Sequence, residues 1–249
     1  SICCIHLIFK FFCLIMNTFW AVHIPRFVIF YFILANIIAI ILFPGGNHLD
    51  STQVGYDFTL NFFSELGFYK TFSEDINFLS SFFFNSAMFL FVAQGFGFLF
   101  MPFFFKENKT SYIFAWIGAI CIFLSTIFYA MVGLTPGDLY FNAHIFAVFT
   151  AFRLTIPGVL FLMLAFYFSR ASNIYTIGAF LLLASVVAYM FFMGDMPQID
   201  PVNDRENFER FVSIETLRLN VILQKLIVIA MLISMLMFTF GFQKLKKSK

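Results

Sequence analysis

Charge is what this sequence lacks. Asp, Glu, Lys and Arg make up 11% of its 249 residues while 61% are hydrophobic, and mean hydropathy is +0.93. A soluble domain carries about a quarter charged residues, and it cannot cover its surface with so few. That excludes a soluble globular chain and leaves one whose outside faces hydrocarbon. A net charge of +2 excludes a nucleic-acid partner. Cysteine is scarce as well, at Cys3, Cys4, Cys13 and Cys121. Residues 1–15, SICCIHLIFKFFCLI, read as an upstream or leader segment ahead of Met16, with no cleavage motif following. Once they are set aside only Cys121 remains, and neither a disulfide framework nor a cysteine metal site can be assembled. His23, His48 and His144 are the histidines after Met16, with no H-x-x-x-H or H-E-x-x-H pattern. P-loop, G-x-G-x-x-G and G-x-S-x-G signatures are also missing, so no nucleotide or other cofactor is expected.

What the chain does have is apolar length. Segments 26–43, 79–105, 111–134, 139–168, 173–193 and 208–242 each approach the roughly 20 residues that cross a 30 Å hydrocarbon core. The expected fold is all-α: an integral membrane bundle of six transmembrane helices forming a single domain over residues 16–249, with the lipid bilayer and a bound lipid as partners. The sequence sets no oligomeric state. Pro44, Pro136 and Pro197, each beside glycine or turn residues, punctuate the segments, and the phenylalanine runs read as lipid-facing surface. With the N-terminus inside, the inner face collects Arg26, Lys106, Lys109, Arg170, Lys244, Lys246, Lys247 and Lys249, against Lys70, Arg205 and Arg210 outside. This bias places both termini in the cytoplasm and the protein in the cell (inner) membrane.

The first outer loop is long for a compact domain. Within it, DFTLNFFSELG puts Phe58, Phe62, Phe63 and Leu66 on one helical face, with Asp57, Asn61, Ser64 and Glu65 on the other. The pattern predicts a short amphipathic helix at the interface, capped by Asp57 and ended by Gly67, its polar side wet. TFSE (71–74) and NDRE (203–206) resemble capping boxes for the second and sixth spans. Gly118, Ser125 and Tyr129 recur sixty residues on as Gly178, Ser185 and Tyr189, a spacing that keeps each trio on one helix face.

Polar residues inside apolar segments mark sites by default. In LTPGDLYFNAHIFAVFTAFR, helical spacing aligns Asp138, Asn142 and Arg153, with His144 on the opposite side. Arg153 needs a partner, and Glu215, one turn from Arg218 in the sixth span, offers one. With Asn85, Tyr129 and Tyr189 these residues predict a polar cavity opening outward under the loop helix, binding a ligand through Asn85, Tyr129, Asn142, Arg153, Tyr189, Glu215 and Arg218. Asp138 and His144 are the catalytic candidates, Asp138 doubling as a helix cap. His48, Asp50, Asp138 and His144 are the donors a metal could use, although the spacing of a zinc hydrolase is missing.

FPGG after the first span, NFFSELG in the loop, GLTPGD followed by His144, and Glu215 with Gln224 in the sixth span together resemble a prokaryotic six-helix membrane family, domain of unknown function 998, and more distantly the Frag/DRAM/Sfk group. The resemblance implies six helices with an outward acid/His corner and no established activity. The leading functional expectation is a non-enzymatic membrane protein whose outward cavity binds a lipid headgroup or small solute, serving transport, sensing or lipid organisation. The competing expectations are a membrane-embedded lipid hydrolase using Asp138 and His144, and a purely structural subunit.

Overall fold

A computed structural model describes residues 15–247, so all but the last residue of the expected leader lies outside the described residues. The architecture is all-α. Among the described residues six helices are long and apolar enough to cross a membrane: Ile15–Leu42, Phe78–Phe104, Lys109–Leu134, Phe141–Tyr167, Asn173–Asp195 and Ile214–Lys246. The first runs further back than its hydropathy suggests. A π-helical turn, Phe19–His23, leads into α1 (Ile24–Leu42), with Pro25 in its opening turn, where a proline has no helical hydrogen bond to lose. The other helices are α2 (Phe78–Phe98), α3 (Lys109–Leu134), α4 (Phe141–Tyr167), α5 (Asn173–Asp195), the short α6 (Arg205–Phe211) and α7 (Ile214–Lys247).

Each long helix packs on its chain neighbour, and α7 closes the circle by meeting both α5 and α1. Residues 15 and 247 therefore lie at one end of the bundle, the terminal end. The long 43–77 segment and α6 lie at the other, the loop end. The tightest seam is α3 on α4. A side chain on Gly118 would come within 3.0 Å of the Gly158 carbonyl, and one on Gly158 within 2.8 Å of Ile122. Small residues at a seam let backbones approach and gain dispersion where no hydrophobic force drives helices together in lipid. Ser125 tightens the same seam by donating to the Ala151 carbonyl at 2.8 Å.

Not all phenylalanine faces lipid. Phe98, Phe104, Phe105, Phe166, Phe238 and Phe242 are among the most buried side chains. They stack at the terminal end, with Phe166 and Phe242 nearly parallel at 5.8 Å and Phe105 edge-on to Phe166 at 5.2 Å. The bundle's centre is therefore filled at this end. Polar ties rim the aromatic layer: Arg26 of α1 donates to Thr239 and Gln243 of α7, and Glu107 pairs with Arg170 at 3.1 Å across two turns.

The two capping-box motifs act locally instead. Glu74 closes a turn back to Thr71 and α2 starts only at Phe78. NDRE opens α6, whose first residues are Arg205 and Glu206, and not the sixth span. The Gly/Ser/Tyr recurrence does not give the two serines matching surroundings. Ser125 is buried in the α3–α4 seam, while Ser185 is exposed and bonds its own helix.

Candidate functional site

The 43–77 segment folds inward as a plug. FPGG starts it: Gly45 and Gly46 have φ of 144° and 79°, and added side chains would lie 2.2 Å from the Gln53 carbonyl and 2.3 Å from the Ser73 nitrogen. Only glycine fits that conformation and that closeness. Asp57 then caps a turn by accepting the Thr59 and Leu60 amides. NFFSELG forms a single 3-10 helix, Phe63–Gly67, not the amphipathic α-helix its pattern predicts, and its polar side is turned in. Asn61 is 0% and Glu65 1% exposed, whereas Phe58 is 58% exposed. The side expected to be wet is buried, and Leu66 of the expected apolar side is buried as well, so the segment is enclosed on both sides.

Burial is satisfied by a polar network. His48 Nε2 donates to Glu65 Oε1 at 2.7 Å, with both side chains buried. Asn61 Nδ2 donates to Glu65 Oε2 at 2.7 Å and to the Gly46 carbonyl. The Asn61 carbonyl accepts from Tyr56 and from Lys225 Nζ of α7 at 2.7 Å. Beside it, the Phe63 amide donates to Gln224 Oε1 at 2.6 Å. Burial pushes the Tyr56 hydroxyl well above the usual phenol range, which keeps it a donor. Lys225, for which hydropathy alone offers no partner, is thus the bolt that fixes the plug to α7. His48 is boxed by aromatic rings, stacking on Phe208 of α6 at 5.1 Å and lying 4.4 Å from Phe72. Its Nδ1 is buried without a hydrogen-bond partner.

Two cavities lie beneath. One of about 110 Å³ at the loop end is bordered by His48, Glu65, His144, Tyr189, Asn220 and Met193. The other, about 90 Å³, runs deeper between Phe32, Phe84, Phe91, Tyr129, Phe152 and Met231. Ser64, Val148 and Gln224 line both, so the cavities abut. In the upper one His144 Nδ1 donates to the Thr135 carbonyl at 2.7 Å. A carbonyl only accepts, so a proton sits on Nδ1, and in the neutral ring Nε2 is left as a lone-pair acceptor. Tyr189 donates to Asn220 across the same space.

The residues singled out from sequence scatter. Tyr129 and Tyr189 line the cavities, one in each, and both pack edge-on with Phe152. Asn85 reaches the Gly67 carbonyl at the plug's edge, with its Oδ1 buried and unpaired. Asn142, Arg153, Glu215 and Arg218 are exposed on the bundle's outside. Arg153 makes no ion pair with Glu215; its guanidinium lies over the Phe149 ring at 5.4 Å. Asp138 caps no helix and touches no histidine in a hydrogen bond. It accepts the Tyr69 and Lys70 amides and so staples the plug to the α3–α4 corner. Asp50 accepts from Thr52, which holds its carboxyl below the usual range. Among the described residues no three His, Cys, Asp or Glu side chains converge as a metal site, because His48, Asp50, Asp138 and His144 are each turned to a separate partner. The pair that matters, His48–Glu65, escaped sequence reasoning because the two are 17 positions apart and Glu65 has the spacing of a wet face. The available signal was Asn61 and Glu65 one turn apart, inside a segment otherwise apolar.

Six apolar spans in a closed ring define a multi-pass membrane protein. No family model, curated protein or solved structure matches the chain.

Proposed function

We propose that this protein binds a single-chain amphiphile, its polar end in the loop-end cavity and its tail in the apolar cavity beneath. One observation carries the reading: a polar and an apolar cavity abut through Ser64, Val148 and Gln224. The aromatic layer at the terminal end closes the path below, which favours holding a ligand over conducting one. His144 Nε2 and Asn220 suit a headgroup rich in hydroxyl donors. The Lys/Arg bias turns the loop end outward from the cell membrane, so the ligand would enter from that side. The segments that resemble domain of unknown function 998 supply Gly46, Glu65, Asp138 and His144 of this region, and membership in that family is part of the proposal. A hydrolase built on Asp138 is not favoured, since two amides occupy that carboxylate.

The test is thermal unfolding of the purified protein with monoacylglycerol, set against native mass spectrometry for co-purified lipid. Monoacylglycerol raises the melting temperature of the wild type. Val148→Phe, which fills the junction, removes that rise while leaving a folded protein. If no lipid co-purifies and monoacylglycerol shifts neither protein, the reading fails.

A further inference from the structure

Arg153 is a charge near the middle of a span that the bundle does not pair. It lies twelve residues into α4, a helix of 27 residues, and so about 18 Å along a rod of about 40 Å. α4 turns His144 and Thr155 inward but leaves Arg153 exposed, on a stripe with Phe146 and Phe149. The side chain leans one turn toward the loop end, over Phe149. Its guanidinium is then level with a residue still about 12 Å inside the helix's first residue, short of the interface that a snorkelling arginine seeks. A guanidinium there, with an aromatic face as its contact, is costly in hydrocarbon.

A second copy of this chain cannot neutralise it. The spans contain no Asp or Glu except Glu215, second in α7, and Asp195, last in α5. Both sit at the loop end, well above Arg153, and a copy related by rotation about the membrane normal keeps them there.

We infer that the outward face of α4 around Arg153 docks a transmembrane helix of another protein that carries an Asp or Glu near mid-membrane. The carboxylate accepts from the guanidinium, a geometry that arginine forms bidentately. Small and apolar residues of the visiting helix pack against Phe146 and Phe149. The docking face points away from both cavities, so it is independent of ligand binding.

The probe is a synthetic polyleucine helix of about 20 residues with a single central Glu, compared with Gln and Leu versions. Its association with the full-length protein is followed by energy transfer in phosphatidylcholine vesicles at pH 8. The Glu helix associates about tenfold more tightly than the Leu helix. Arg153→Leu abolishes that preference with an unchanged melting temperature, and Arg153→Lys keeps part of it. Equal association of the three helices overturns the proposal, as does a preference that survives Arg153→Leu. Two further results also overturn it: Arg153-dependent self-association in place of helix capture, and loss of bound phosphatidylglycerol in Arg153→Leu without any Glu preference, which would assign the charge to an anionic lipid.

Discussion

Glu65 has both carboxylate oxygens engaged, one by His48 and one by Asn61, at 2.7 Å each and almost without solvent. Removing one member of a buried pair strands the other, at about 3–5 kcal/mol. Glu65→Ala is therefore expected to lower the unfolding midpoint sharply in detergent, and Glu65→Gln, which keeps an acceptor and the shape, by clearly less. Equal losses would mean that the carboxylate charge, which both variants remove, carries the whole of the pair. Arg153 illustrates the reverse case. Helical spacing aligned it with Asp138 and Asn142, and the cost of a membrane arginine argued for an inward partner. Yet spacing fixes only which residues share a face, not which way the face turns, and the α3 and α5 contacts of α4 rotate that face outward.

At the scale of elements, the α3–α4 seam is set by Gly118 and Gly158 against opposing backbone. Gly158→Leu drives a side chain into Ile122 and is expected to cost about 1–3 kcal/mol, read as a lower midpoint. Gly194, with open space around it, is the control whose alanine variant leaves the midpoint in place. In the plug, Gly46→Ala meets both a positive φ and the Ser73 backbone; limited proteolysis should cut within residues 43–77 faster than in wild type. The six spans were legible in the sequence because hydrocarbon thickness demands long apolar runs and leaves little freedom. The plug was not. Asp57, Asn61, Ser64 and Glu65 alternate with phenylalanine in a pattern that suits a surface helix, and only tertiary partners 15 to 164 positions away decide that Asn61 and Glu65 turn in.

Over the whole molecule, the last helix reaches the plug through two adjacent residues, Gln224 and Lys225. Gln224→Leu with Lys225→Met is expected to raise hydrogen exchange of the Phe63 amide and its neighbours while the α3–α4 seam stays protected. Uniform deprotection would instead mean that plug and ring unfold as one unit. The same two contacts span 161 and 164 positions of chain, whereas the plug's ties to Ser80, Asn85 and Asp138 span 14 to 69. During synthesis, then, five spans can pair off in order of emergence while the segment that roofs them is fastened on the α2 and α3–α4 side only. A ribosome stalled before residue 214 would leave a nascent bundle with both cavities open along one wall, since Gln224 and its neighbours line each, and the last helix to enter the membrane is the one that shuts them.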